Sequence, residues 1–227
     1  MNDKNFKECQ ARLDTVHAVE RERLVVIVRG VQRDKLIPLA EAMYEGGVRL
    51  LEITYSANRA VSDTETAENI AMLKSHFGDK MFIGAGTVLT CEQVALTANA
   101  GGQFIISPNT KKVVIEETRR LGLVSMPGAF SPSEIEDAHE YGADFVKLFP
   151  VTDLGAGYVK AVKAPLSHIK LLAVGGIDLD NMAHYRKAGV CGFGIGSNIT
   201  DKKMIAEGDW EGITALARKY VFAAKGE

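Results

Sequence analysis

A repeated punctuation limits what this chain can fold into more than any other feature. Five times a helical stretch closes on glycine and a short apolar run follows within a few residues: "EGGVRLLEIT", "AGGQFIIS", "LGLVSMPG", "YGADFVKLFP" and "AGVCGFGIGS". Glycine just past a helix supplies the left-handed backbone that stops it. The runs that follow are nearly continuous in apolar residues, as strands are when helices cover a parallel sheet on both faces. The full set of predicted strands is "VVIVR" (25–29), "LLEITY" (50–55), "MFIGAGT" (81–87), "FIISP" (104–108), "VSMPG" (124–128), "FVKLFP" (145–150), "LLAVGG" (171–176) and "GFGIGS" (192–197), each followed by a helical pattern. Explicit helix starts support the reading: Thr90 with Gln93, Ser131 with Glu134 and Pro132 at the first helical position, and Asp178 as a cap.

Eight strand-helix units in 227 residues fit a compact (β/α)8 TIM barrel. Residues 1–24 then form an extra N-terminal helical extension. No linker or low-complexity tract divides the chain, so 1–227 is expected to be one barrel domain. An open doubly wound sheet is the alternative, disfavoured because no G-x-G-x-x-G follows the first strand.

Charge and composition exclude several classes of function. The 27 basic and 29 acidic residues nearly cancel, and no basic stripe suggests a nucleic-acid partner. No apolar stretch approaches the roughly 20 residues a membrane span requires, and the polar start "MNDKNFKECQ" is not a signal peptide. Cys9, Cys91 and Cys191 are far apart, which suggests a reducing cytoplasm and small or incidental thiols. The segment "HAVERERL" reads as a solvated helix face. His17, His76, His139, His168 and His184 fall in predicted helices or beside them, so no metal site is expected. Trp210, Tyr220 and Phe222 suit a final helix that packs on the barrel or on another subunit.

Barrel enzymes carry their chemistry at the C-terminal ends of the strands. The polar residues there are Arg29, Glu52, Thr54, Thr87, Ser107, Lys147 and Ser197. An acid and an amine on core strands are expensive to bury. The bland explanation is a buried Glu52–Lys147 ion pair, which is weak evidence for stability. The chemical explanation is that desolvation lowers the lysine pKa and leaves an amine able to attack a carbonyl. Glu52 could then move protons, and Phe149, two residues on, could wall the amine from water. Those three residues fit a class I aldolase. The Gly175-Gly176 and Gly196-Ser197 loops after strands seven and eight fit an anion site, where barrels commonly bind phosphate.

In order along the chain, "LEIT", "GAGTVL", "ISP", "PG", "KLFP", "VGGI" and "GIGS" resemble the 2-keto-3-deoxy-6-phosphogluconate / 4-hydroxy-2-oxoglutarate aldolase family, from about Val25 to Ser197. The resemblance implies a Schiff-base Lys147, a general acid/base Glu52, and a pyruvate pocket of Thr87, Pro108 and Phe149. It further implies a phosphate site at Gly175, Gly176, Gly196 and Ser197, a homotrimer, and no metal or other cofactor. The implied reaction cleaves a phosphorylated keto acid, of gluconate or galactonate type, to pyruvate and glyceraldehyde 3-phosphate, with 4-hydroxy-2-oxoglutarate as a further substrate.

Two positions depart from the gluconate pattern. Ser56 stands where that family has an arginine, and Val174 where it tends to have threonine. The related 2-dehydro-3-deoxy-6-phosphogalactonate aldolases also lack that arginine and share "RG" after the first strand, as in "VIVRG". Arg29, or Arg59 from the next helix, is then expected to meet the substrate carboxylate, with Arg29 preferred. Two other readings stay open: an isomerase or decarboxylase barrel using Lys147 and Glu52 only as acid and base, and a non-catalytic barrel that binds a phosphorylated metabolite.

Overall fold

The computed structural model describes residues 3–226, with side chains from residue 10 onward. Every predicted strand forms. In chain order they are β1 (Leu24–Val28), β2 (Leu50–Thr54), β3 (Phe82–Gly86), β4 (Phe104–Ile106), β5 (Val124–Met126), β6 (Gly128–Ala129), β7 (Val146–Leu148), β8 (Leu171–Val174) and β9 (Gly192–Ile195). All neighbours pair in parallel, in the order β5-β4-β3-β2-β1-β9-β8-β7-β6.

β5 and β6 are two halves of one barrel strand, interrupted at Pro127. The first half pairs with β4, Val124 opposite Phe104. The second pairs with β7, Gly128 opposite Lys147. A proline has no N–H to give a ladder, but its carbonyl can accept, and Pro127 takes the Lys147 N–H at 2.8 Å. The ring therefore closes through a strand that changes partner midway, and the open-sheet alternative is not what forms.

Among the described residues ten helices surround the strands: α1 (Asp3–Glu22), α2 (Arg33–Glu45), α3 (Asp63–Phe77), α4 (Cys91–Asn99), α5 (Lys112–Arg120), α6 (Pro132–Glu140), α7 (Gly155–Lys163), α8 (Met182–Lys187), α9 (Lys202–Glu207) and α10 (Trp210–Lys225). Ser131 and Glu134 form a reciprocal capping box. Thr90 accepts from Gln93 N–H at 3.2 Å, but the Gln93 side chain takes Leu89 N–H instead of closing a box. Asp178 accepts from the N–H groups of Asp180 and Asn181, each at 3.0 Å.

Strand alternation divides the core in two. Outward residues such as Val146, Leu148, Leu171 and Ala173 pack under the helices. Inward residues, among them Val25, Leu50, Phe104, Val124, Phe145 and Leu172, fill the lumen. Val16 and Val19 of α1 join that inner cluster, so the N-terminal helix is the floor of the barrel. Burying one valine contributes about 1.5–3 kcal/mol. Ion pairs from Arg12 and Arg119 to Asp144 fix the helix to the wall, and Asp144 also accepts Ser125 N–H at 2.9 Å.

This corrects the reading of "HAVERERL" as a solvated face. Ala18 and Val19 are buried, and Glu22, also buried, pairs with Arg21 and Lys225. The buried stripe is hidden because charged residues separate its three apolar ones, Ala18 and Val19 from Leu24. Of the late aromatics, Tyr220 is buried and Trp210 partly so, whereas Phe222 faces outward. The Cys9 side chain lies outside the described residues. Burial pushes the Cys191 thiol up to about 11, which leaves it unreactive near neutral pH.

Candidate active site

Lys147 belongs to the inner face of β7, between Phe145 below and Phe149 above. It is only 6% exposed, and its Nζ lies 4.6 Å from the Phe149 ring centre. Glu52, on β2, is 1% exposed. Its Oε2 is buried with no hydrogen-bond partner among the described residues. The two side chains are not joined as an ion pair with N···O within 4.0 Å. The bland explanation of a structural salt bridge therefore fails.

Burial dominates the protonation of both groups. It lifts the Glu52 carboxyl above its ordinary value, more than nearby Lys147 and Arg29 pull it down. It depresses the Lys147 ammonium, a shift Glu52 opposes and Arg29 reinforces. The neutral forms, amine and carboxylic acid, are favoured together. The space for Glu52 exists because position 86 is glycine: a Cβ there would lie 1.6 Å from Glu52 Oε1.

Above this pair opens a cavity of about 800 Å³. Lys147, Arg29, Thr87, Pro108, Phe149, Gly175, Gly176, Gly196 and Ser197 all line it. Glu52, like the strand-end candidates Thr54 and Ser107, does not line it, and Glu52 sits buried beside it. Arg29 Nη2 donates to Thr87 Oγ1 at 3.4 Å. Thr87 holds φ at 56°, in the left-handed region. A β-branched residue there is a true outlier, of the kind that concentrates at functional sites.

The expectation that Arg59 belongs to the next helix is corrected. It lies in the loop before α3 with φ 56° and lines neither this cavity nor the adjoining pocket, which holds Ser56. The run Ser56–Ala60 folds on itself instead of starting the helix: Ser56 Oγ accepts Ala60 N–H at 3.1 Å, and Ser56 O accepts Arg59 N–H at 2.9 Å. Ser107 is buried away from the cavity, its N–H directed to Met126 O.

The glycine loops present donors. Gly175 O accepts from Thr152 Oγ1 at 2.8 Å, Gly176 O from Asn181 Nδ2 at 2.8 Å, and Gly196 O from Thr200 Oγ1 at 3.0 Å. A trans peptide points its N–H opposite its carbonyl. The N–H groups of Gly176, Ile177 and Ser197 accordingly face away from those internal donors, and all three residues line the cavity. Gly176 also requires its identity sterically, since a Cβ would meet Thr152 Oγ1 at 2.0 Å and its φ is 71°.

Sequence reasoning missed several polar lining residues, Gln32, Lys35, Asn198, Thr200 and Lys202. Asn198 ties the two loops together by donating to Ile177 O at 2.9 Å. Lys202, in "TDKKM", carries no signal that separates it from an ordinary surface lysine.

A family model described as "KDPG and KHG aldolase" matches residues 16–216. The 2-dehydro-3-deoxy-phosphogluconate aldolase of Treponema pallidum (strain Nichols) is 35% identical over 206 residues, covering 89% of this chain and 93% of that one. The 2-dehydro-3-deoxy-6-phosphogalactonate aldolase of Escherichia coli (strain K12) is 36% identical over 177 residues, covering 78% and 83%. Among solved structures, the KDPG aldolase of Legionella pneumophila, with pyruvate captured as a covalent carbinolamine, superposes with a TM-score of 0.79. It is 27% identical, covering 90% of this chain and 97% of that one.

Proposed function

The chain belongs to the KDPG and KHG aldolase family, and from that premise we propose that Lys147 forms a Schiff base with a 2-keto-3-deoxy-6-phospho sugar acid and that the chain releases pyruvate and glyceraldehyde 3-phosphate. The observation that carries the assignment is a buried lysine with no ion-pair partner among the described residues, its ammonium disfavoured, beside a carboxyl whose protonated form burial favours.

The chemistry follows from those protonation states. Neutral Lys147 Nζ adds to the substrate C2 ketone and gives a carbinolamine. Glu52 donates its proton to the departing hydroxyl, water leaves, and a protonated imine remains. Glu52, now a carboxylate, takes the proton of the C4 hydroxyl while the C3–C4 bond breaks, and the electron pair moves into the imine as an enamine. Glyceraldehyde 3-phosphate departs. Glu52 returns the proton to C3, and water hydrolyses the pyruvate imine.

Thr87, Pro108 and Phe149 enclose the pyruvate part, and Arg29 meets its carboxylate. The N–H groups of Gly176, Ile177 and Ser197 hold the phosphate. The carbinolamine captured in the Legionella protein supports this order of events, because a carbinolamine is what an amine and a ketone form. The gluconate and galactonate relatives are equally close, at 35% and 36% identity, so similarity does not rank the two sugar acids. The reading extends to one barrel domain and a cytoplasmic homotrimer, supported by the family resemblance and the sparse cysteines.

The test is borohydride reduction in the presence of pyruvate, read by peptide mass spectrometry. A reduced pyruvyl adduct on Lys147 is expected, with none on Lys147→Ala. A pyruvate-release assay over both phospho-acids, their unphosphorylated forms and 4-hydroxy-2-oxoglutarate then identifies the substrate. Turnover with no adduct at Lys147 would remove the Schiff base from the mechanism.

A further inference from the structure

Beside the catalytic cavity lies a separate pocket of about 490 Å³, between the ends of β1 and β2 and helices α2 and α3. Its body is apolar, from Val28, Leu36, Ile53, the Tyr55 ring and Val61. The loop Ser56–Ala60 lines it from one side. Arg29, Gly30, Val31 and Thr87 line both this pocket and the cavity, so the two spaces meet at the Arg29 side chain.

Most polar groups in the pocket are already used. Thr54 Oγ1 donates to Val28 O at 3.3 Å and Thr66 Oγ1 to Ser62 O at 3.1 Å. Ser56 Oγ donates to Asn58 Oδ1 at 2.6 Å, and the Tyr55 hydroxyl donates to Gln93 O at 3.1 Å. Asn69 is different. It is 6% exposed, and its Oδ1 is buried with no partner among the described residues. Leaving such a group unmatched costs about 1–3 kcal/mol, and unmatched buried polar groups are scarce in folded proteins. The other uncommitted anchor is the guanidinium of exposed Arg29, whose one hydrogen bond, to Thr87, is long. Among the described residues, no aspartate or glutamate lines the pocket.

One cation at the open end, one carboxamide at the buried end and an apolar wall between them define a ligand class. We propose that this pocket is a second binding site, for a short-chain hydroxy-carboxylate whose carboxylate pairs with Arg29 and whose hydroxyl bonds the Asn69 carboxamide. A hydroxyl suits Asn69 because a carboxamide can both donate and accept. The apolar wall takes the methylene chain. Because Arg29 faces both spaces, occupancy and turnover are linked; that linkage, though not the binding, rests on the role given to Arg29 above.

The probe is 4-hydroxybutanoate, with butanoate lacking one anchor and butane-1,4-diol lacking the other. Binding is followed by methyl NMR on Leu36, Ile53 and Val61. It is measured on wild type, which is expected to bind 4-hydroxybutanoate at least fivefold more tightly than either control, with shifts in those methyls. Asn69→Leu should weaken binding about tenfold while cleavage of the phospho-keto acid stays within twofold. Val61→Trp fills the pocket from the loop side and should have the same effect should Asn69→Leu fold poorly. Binding that leaves those methyls unshifted places the probe in the catalytic cavity and overturns the proposal. So does equal affinity in wild type and both variants, or no saturable binding where pyruvate saturates the enzyme. A failure to trap a pyruvyl adduct on Lys147 counts against the Schiff base and leaves the NMR comparison of the variants intact.

Discussion

Gly86→Ala isolates the placement of Glu52. The residue has no positive φ, so alanine is compatible with the backbone and the effect is steric. The added Cβ would lie 1.6 Å from Glu52 Oε1, 2.2 Å from Cδ and 2.5 Å from Cγ. Atoms in comfortable contact are about 3.5 Å apart, so the carboxyl must move by about 2 Å. A misplacement of about 1 Å in a catalytic group is enough for roughly a hundredfold loss. We therefore expect kcat/KM to fall at least about 100-fold, or about 2.7 kcal/mol in transition-state stabilisation, alongside an overpacking cost of about 1–3 kcal/mol in stability. Gly84→Ala is the control. Its Cβ would strike the Phe104 ring at 2.3 Å, overpacking the same lumen without touching Glu52. It should lose comparable stability and less than about tenfold in kcat/KM. Pyruvate-release kinetics and thermal melts on both variants decide the matter. If Gly86→Ala stays within about threefold of wild type, or if Gly84→Ala is equally impaired, the carboxyl does not act from the position described.

Three further outcomes are expected. Lys147→Met should be inactive yet more stable, by about 1–3 kcal/mol. Because the folded lysine is held below its ordinary 10.5, the unfolded chain binds more protons below that pH; wild-type stability thus falls as pH drops through the window, and the Met gain should vanish above it. Denaturant midpoints at several pH values measure this, and a flat difference would contradict it. Arg29→Gln removes a charge that depresses Lys147. The rising limb of kcat/KM against pH should move upward, and a downward move would refute the assignment. Thr87→Gly relieves a left-handed β-branched residue, so stability should hold or rise by up to about 1 kcal/mol while KM for the keto acid rises. A fall in stability would show that the Thr87 side chain supports the fold.

The barrel was legible because five of its eight units announce themselves twice, through a glycine stop and an apolar run. The site was legible for the same reason: a lysine and a glutamate violate that run at Lys147 and Glu52, and a strand that should be apolar has no structural use for them. The sequence could not convey pair geometry. Whether Glu52 and Lys147 touch depends on the room Gly86 provides, and "GAGT" reads equally well as a turn. Thr87 gives no warning of its backbone conformation, because threonine is an ordinary strand residue. Arg59 looked helical because the residues after it are, while the Ser56–Ala60 hydrogen bonds that delay the helix are a local competition with no periodic signature. Asn69 is hidden for the opposite reason: on a helix, one asparagine among charged residues looks solvated until the packing is known.

The interrupted strand at Pro127 has a consequence for assembly. It separates the chain into two ribbons, β1–β5 and β6–β9, that meet at this seam and along the pairing of β1 with β9. The first ribbon carries Glu52, Arg29 and Thr87; the second carries Lys147, Phe149 and the two glycine loops. Lys147 and the two charged groups that act on its protonation, Glu52 and Arg29, are made in different halves. Reactivity is thus a property of the closed ring and of neither ribbon by itself.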